Sequence, residues 1–341
     1  MDNALLDKGI MTPELPSHRR RSLVRGVLAA VAFSLSAAPA LAQDWPTKPI
    51  RLVLGYAPGG GADITARLMQ PSLEKLLKQP IVIDYKSGAG GALAAAEVSR
   101  AAPDGYTLGL VDNGVMTIIP AARQPGYDPL KSFTPISMVT LLPHVLVASP
   151  KLAASGSREL IEMMRKEPGR LNFASGGPGS MSHLFAELYR AQSKTSAVHV
   201  PFRGGSPAIT AVSAGDVQFA FLTYAASSGF IKGGQVKVLG VSSSSRLRSL
   251  PNVPTIAEQG LAGYDAVGWF AIVGPAKIPP RIVASLQKAI NETLTTPEVV
   301  SRLEEVGSLP ATGQKLSLDK RIADELGLWR KLITEQKIPV E

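Results

Sequence analysis

Three glycine-rich stretches stand directly after apolar runs and directly before helical patterns. They are Pro58-Gly59-Gly60-Gly61, with Tyr56 ahead and Asp63 behind, then Gly88-Ala89-Gly90-Gly91, and then Ser175-Gly176-Gly177-Pro178-Gly179-Ser180. Glycine lets backbone N–H groups approach a common point, and a helix starting there adds the positive end of its dipole, roughly half an elementary charge. The chemistry on offer is capture of an anion, a carboxylate or a phosphate. In the first loop, Gly61 is followed by Ala62-Asp63-Ile64. A nucleotide-binding loop ends instead in Gly-Lys-Ser/Thr, and an aspartate there repels phosphate. A tight strand-to-helix turn without any ligand fits the same residues.

Enzymatic chemistry finds little to work with. Gly204-Gly205-Ser206-Pro207-Ala208 approaches a serine-hydrolase elbow but lacks its last glycine, and Pro207 reads better as the first residue of a helix capped by Ser206. Gly88-Ala89-Gly90-Gly91-Ala92-Leu93 has two glycines of a dinucleotide fingerprint but Leu93 at the third position, where close helix–strand packing needs a small residue. Beyond the leader the histidines are His144, His183 and His199, which have no metal-ligand spacing and read as structural. His183 is expected to support the third loop from the first turn of its helix. No enzyme, metal or cofactor is expected. Arg203 reads equally as a contact for a ligand carboxylate and as a solvated turn residue.

Alternating strands and helices must position these loops. Residues 50–55, 81–85, 106–111, 171–174, 198–201, 217–222 and 236–241 read as strands, and 145–148 opens another apolar run. Helical patterns start near residue 62 and cover 92–101, 157–166, 181–192 and 206–214, and the chain from Pro280 onward is mostly helical. Strand-loop-helix repeats imply an α/β fold with mostly parallel sheets flanked by helices, their loops gathered at the carboxyl ends of the strands. Three glycine loops on different units can then face one cleft.

The beginning of the chain reads as an export signal over residues 1–42. Basic Arg19-Arg20-Arg21 and Arg25 precede a small apolar core, and Ala40-Leu41-Ala42 fits a cleavage site. That core falls short of the roughly 20 residues needed to span a bilayer. Arg20-Arg21-Ser22-Leu23-Val24 is compatible with twin-arginine as well as general secretory export, and Met11 is an alternative start to Met1. The chain contains no cysteine, so neither lipid attachment nor disulfides are available and a large core must supply stability. The net charge of +9 is diffuse. It attracts anions at long range, and without a basic-aromatic stripe it does not indicate nucleic acid.

Five phrases in register resemble one family. They are Gly55-Tyr56-Ala57-Pro58-Gly59-Gly60-Gly61-Ala62-Asp63, Gly88-Ala89-Gly90-Gly91, Pro103-Asp104-Gly105-Tyr106-Thr107-Leu108, the run from His199 to Ala208, and Leu250-Pro251-Asn252-Val253-Pro254-Thr255. Their order and spacing are similar to those of the Bug family, the extracytoplasmic solute-binding proteins of tripartite tricarboxylate transporters. The resemblance implies a two-domain periplasmic-binding-protein flytrap of type II-like architecture, monomeric and free in the periplasm. One domain would comprise residues 43–143 plus 264–341 and the other 144–263, joined by two crossing strands. It further implies that a small organic carboxylate is held by Tyr56, Pro58, Gly59, Gly60, Gly61 and Asp63 with Gly88, Ala89, Gly90 and Gly91. The loop containing Ser175, Gly176, Gly177, Gly179, Ser180 and Ser182 and the turn Phe202, Arg203, Gly204 would read the rest. The implied partners are membrane subunits of a transporter, or a sensor kinase.

Two positions depart from the family pattern. Pro178 stands where asparagine is usual, and it donates no hydrogen bond. Leu222 stands where aspartate often ends the strand, which argues against amino-acid ligands. Both changes make the far pocket less polar, with Thr223, Tyr224 and Trp269 expected nearby. They favour a mono- or dicarboxylate with an apolar or aromatic body.

Overall fold

The structure, a computed structural model, describes residues 45–56, 58–312 and 317–340, and the expected export signal and its cleavage site lie outside them. β1 (Ile50–Leu54) buries its apolar residues Ile50, Leu52, Val53 and Leu54, as a strand covered on both faces does. It pairs in parallel with β2 (Ile81–Tyr85) and β3 (Thr107–Asp112). At the far end of the sheet, β5 (Asn172–Ser175) is parallel to both β6 (Val198–Pro201) and β7 (Phe219–Thr223).

Between these parallel triads run two long strands, β4 (Phe133–Ala148) and β9 (Val267–Pro275), each antiparallel to its neighbours. β8 (Lys237–Val241) and β10 (Leu309–Pro310) also pair with β4, and the order is β2-β1-β3-β9-β4-β7-β5-β6. The sequence pattern points only to the last four residues of β4. Its earlier part carries Pro135 and Pro143 and shifts register twice against β9, and proline inside a strand demotes it on pattern alone. Pro143 also marks the change of partner: up to it β4 faces β9, and from His144 it faces β7 and β8. The backbone N–H of His144 donates to Ser242 Oγ at 3.1 Å, and Ser242 Oγ donates to the carbonyl of Ala266 at 2.6 Å. This change of partner is where the chain crosses from one half of the sheet to the other.

Helix Leu318–Gln336 packs on both halves. Leu318 and Ile322 join a core with Trp269, Val111 and Met116, while Trp329 and Leu332 join one with Leu184, Phe185 and Tyr264. Among the described residues no helix is long and apolar enough to cross a membrane.

His144 shows what burial does to a titratable group here. Its ring is buried edge-on against Phe185, with Nδ1 3.0 Å from the Leu142 carbonyl, and desolvation pushes its pKa down to about 4. The unfolded chain therefore takes up the proton first as pH falls, and stability present above pH 6.5 is lost towards the folded value. This contribution is expected to fall by about 2 kcal/mol between pH 7 and pH 5. Urea unfolding across that range should show a shallower decline for His144→Gln than for the wild-type chain, and equal slopes would contradict the assignment.

Candidate functional site

The loop after β1 turns into helix Gly61–Leu77, whose N-cap Gly60 offers no side-chain acceptor. Its first intrahelical bond runs from Ile64 N to Gly60 O at 3.0 Å, so the amides before Ile64 have no partner within the helix. Asp63, in the first turn, is buried and is not among the residues lining the cavity described below. Its buried carboxylate accepts from Gly59 N at 2.7 Å, Arg67 Nε at 2.8 Å and the Tyr85 hydroxyl at 2.6 Å, and these bonds lower its pKa against the opposing effect of burial. Asp63 thus fixes the loop.

The second loop follows β2 and closes as a single tight turn, Ala89–Gly91, before helix Ala92–Ser99. Gly88 (φ +146°), Gly90 (φ +67°) and Gly91 (φ +95°) take backbone conformations closed to most side chains, and Ala89 shares them at φ +49°. Tyr56 lies over Gly91 and donates its hydroxyl to Asp112 Oδ2 at 2.6 Å. Burial, then the neighbouring Asp112 charge, drives the Tyr56 pKa well up. Asp112, at the end of β3, is itself buried and accepts from Val115 N at 2.9 Å; desolvation raises its pKa, and the Tyr56 bond partly offsets this.

The third loop, between β5 and helix Met181–Ser193, is held from behind. Ser175 Oγ accepts from Gly177 N at 3.0 Å and meets His199 Nε2 at 2.6 Å. Ser182 Oγ accepts from Gly176 N at 2.8 Å, and His183 Nδ1 accepts from Gly179 N at 3.1 Å. The rings of His183 and His199 stack at 3.8 Å. Desolvation, then the His183 charge, lowers the His199 pKa to about 4. The Ser175–His199 contact resembles a nucleophile and its base, but Ser175 is fully buried and its hydroxyl serves the loop. His183 does support the third loop from its helix.

The three loops meet in one cavity of 660 Å³, within the usual size range of small-molecule sites. Of the residues expected from sequence, Tyr56, Gly60, Gly61, Ala89, Gly90, Gly176, Gly179 and Ser180 line it, and so does Pro178. Pro58, Gly59, Gly88, Gly91, Ser175, Gly177 and Ser182 shape the loops from outside the wall. Phe202 and Gly204 brace the third loop through backbone bonds to Ser175 and Gly176, and Arg203 is exposed outside the cavity.

The residues expected at the far end lie elsewhere. Thr223 caps helix Tyr224–Lys232, Tyr224 packs against Gly307, and Leu222 is in the core. Trp269 is fully buried, with Nε1 donating to Glu325 Oε1 at 2.9 Å. Its neighbour Phe270 lines the cavity instead, because successive residues of a strand face opposite sides. The remaining wall comes from Ala62, Asp112, Gly114, Ile118, Ile119, Ala122, Arg123, Met181 and Val340. Asp112-Asn113-Gly114 follows a strand and opens a helical turn, a signal of the same kind as the three glycine loops. Val340 had no local signal.

Comparisons with known proteins bear on the family and the fold. The profile of the tripartite tricarboxylate transporter family receptor matches residues 65–338. Protein BugT of Bordetella pertussis is 32% identical over 307 residues, covering 89% of this chain and 94% of its own. Among solved structures, R. palustris Rpa4515 with adipate is 30% identical at a TM-score of 0.74, covering 87% of this chain and 99% of that one. MatC from Rhodopseudomonas palustris with bound malate is 31% identical at a TM-score of 0.71, covering 85% and 100% respectively.

Proposed function

This chain belongs to the Bug family of tripartite tricarboxylate transporter receptors, and from that premise we propose that it captures a small organic carboxylate in the periplasm and delivers it to membrane subunits of such a transporter. Its α/β fold is that of these solute-binding proteins, and the family consists of receptors rather than enzymes. One observation carries the ligand class: three glycine loops, including an uncapped helix start, converge on a single cavity. Amides fixed in that geometry replace the water lost by a carboxylate without reorganising, which favours an anion over a neutral solute.

The rest of the wall supports an apolar or aromatic ligand body. Ile118, Ile119, Ala122, Met181, Phe270 and Val340 contribute most of it, and they offer a citrate hydroxyl or central carboxylate no polar side chain. Adipate and malate in the related structures are both dicarboxylates, and adipate has an apolar body. The proposed domains are residues 43–143 plus 264–341 and residues 144–263, which would meet where β4 changes partner after Pro143. They would close on the ligand, which the membrane partner then reads. The leader would be removed near Ala42.

A thermal-shift screen of the chain from Gln43 tests the reading. Ligand binding to the folded form alone raises the melting temperature by mass action, by an amount that grows with ligand concentration over Kd. Apolar-bodied carboxylates are expected to raise it and their amides are not. Tight citrate binding without binding of apolar acids would sink the ligand class.

A further inference from the structure

Two charged side chains line the cavity among the described residues, and they differ in what is left for a ligand. Asp112 is buried and already accepts from Tyr56 and Val115. Arg123 is exposed, and its guanidinium has neither an ion pair nor a hydrogen bond among the described residues. It directly follows the one-turn helix Ile119–Ala122 and turns into extended backbone (φ −154°, ψ 173°). Ile119 and Ala122 of that turn stand on the same wall.

A second observation concerns the field around Arg123. The same residue borders a neighbouring groove that also holds Lys131 and Arg330. The acid there, Asp128, accepts from the backbone amides of Leu130 and Lys131, and its other oxygen is 3.9 Å from Lys131 Nζ. Three cations against one committed carboxylate leave this side of the cavity positive, which concentrates anions there. A guanidinium also presents a planar fork that matches a carboxylate in two hydrogen bonds.

The glycine-loop amides and Arg123 are separate anion-binding features of one wall, and the side chains around them are apolar. We infer that Arg123 is a specificity-determining residue that reads a second anionic group on the ligand, so that the receptor selects dicarboxylates with an apolar spacer over monocarboxylates of the same length. This inference rests on the carboxylate-receptor reading above. It goes further in assigning the choice of ligand charge to one side chain outside the glycine loops.

Calorimetric titration with straight-chain diacids of four to eight carbons, and with the monomethyl ester of each, tests it at fixed ionic strength. The wild-type chain is expected to prefer the best diacid over its half-ester by roughly tenfold to a hundredfold, the range of a charge-assisted hydrogen bond. Arg123→Gln should bring that ratio close to one by weakening the diacid while leaving the half-ester unchanged. Arg123→Lys should keep part of the preference. The side chain is exposed, so an unchanged melting temperature of the free variant will show that the fold is intact. Carboxylate binding with the same ratio in Arg123→Gln overturns the inference and leaves the receptor reading standing, as does equal weakening of diacid and half-ester. Failure of every acid to bind the wild-type chain overturns both.

Discussion

Gly55→Val is expected to cost about 3 kcal/mol of folding stability, the upper part of the range for overpacking, and to weaken carboxylate binding at least tenfold. Gly55 directly follows β1, where the first and second glycine loops touch. A Cβ there would lie 2.6 Å from the Cα of Gly91 and 3.0 Å from its carbonyl oxygen. Backbone atoms cannot swing aside as a side-chain tip can. Gly91 has no room to retreat, because the direction its own Cβ would take is filled by Val115 at 2.7 Å and by the Tyr56 ring at 3.4 Å. The substitution therefore separates two loops whose amides share one cavity. Urea unfolding measures the first effect and titration with the best ligand of the screen measures the second. Wild-type affinity in a folded Gly55→Val protein would mean that the spacing of these loops does not set the site.

Phe173→Ala is expected to cost about 4 kcal/mol, as for other fully buried phenylalanines. The ring is buried completely, with its centroid 4.9 Å from that of His199, 6.1 Å from His183 and 5.8 Å from Phe219. The Arg190 guanidinium lies over it at 5.8 Å. Removing the ring opens a void beneath the stacked histidines, and those histidines contact Ser175 Oγ and Gly179 N in the third loop. Affinity should fall together with stability. Phe173→Leu, which refills most of the volume, should recover at least half of both. A loss below about 1 kcal/mol in Phe173→Ala would show that the cluster collapses to fill the space.

The repeating units were readable from residue types because each is local. An apolar run, a glycine loop and a helical period lie within about 30 residues of one another, and this located β1, β2, β5 and the loops after them. The joint between the halves was not readable in the same way. β4 is interrupted by Pro135 and Pro143, whose missing amides matter only where a neighbouring strand needs them. On β9 the choice between Trp269 and Phe270 depends on which face meets the cavity, and strand register decides it. Arg123 and Val340 reach the wall from segments more than 200 residues apart in the chain, and no local pattern reports such a meeting.

Val340 has a practical consequence. Its carbonyl lies 3.1 Å from where a Cβ of Gly179 would be, and its side chain faces the cavity with the third loop. The chain contains no cysteine, so a thiol introduced as Val340→Cys would be unique and could take a single environment-sensitive dye without first stripping native thiols. The same wall that shapes the ligand site would then serve as the optical port of a reagentless fluorescent sensor, reporting occupancy in real time and in mixtures where the solute itself carries no chromophore.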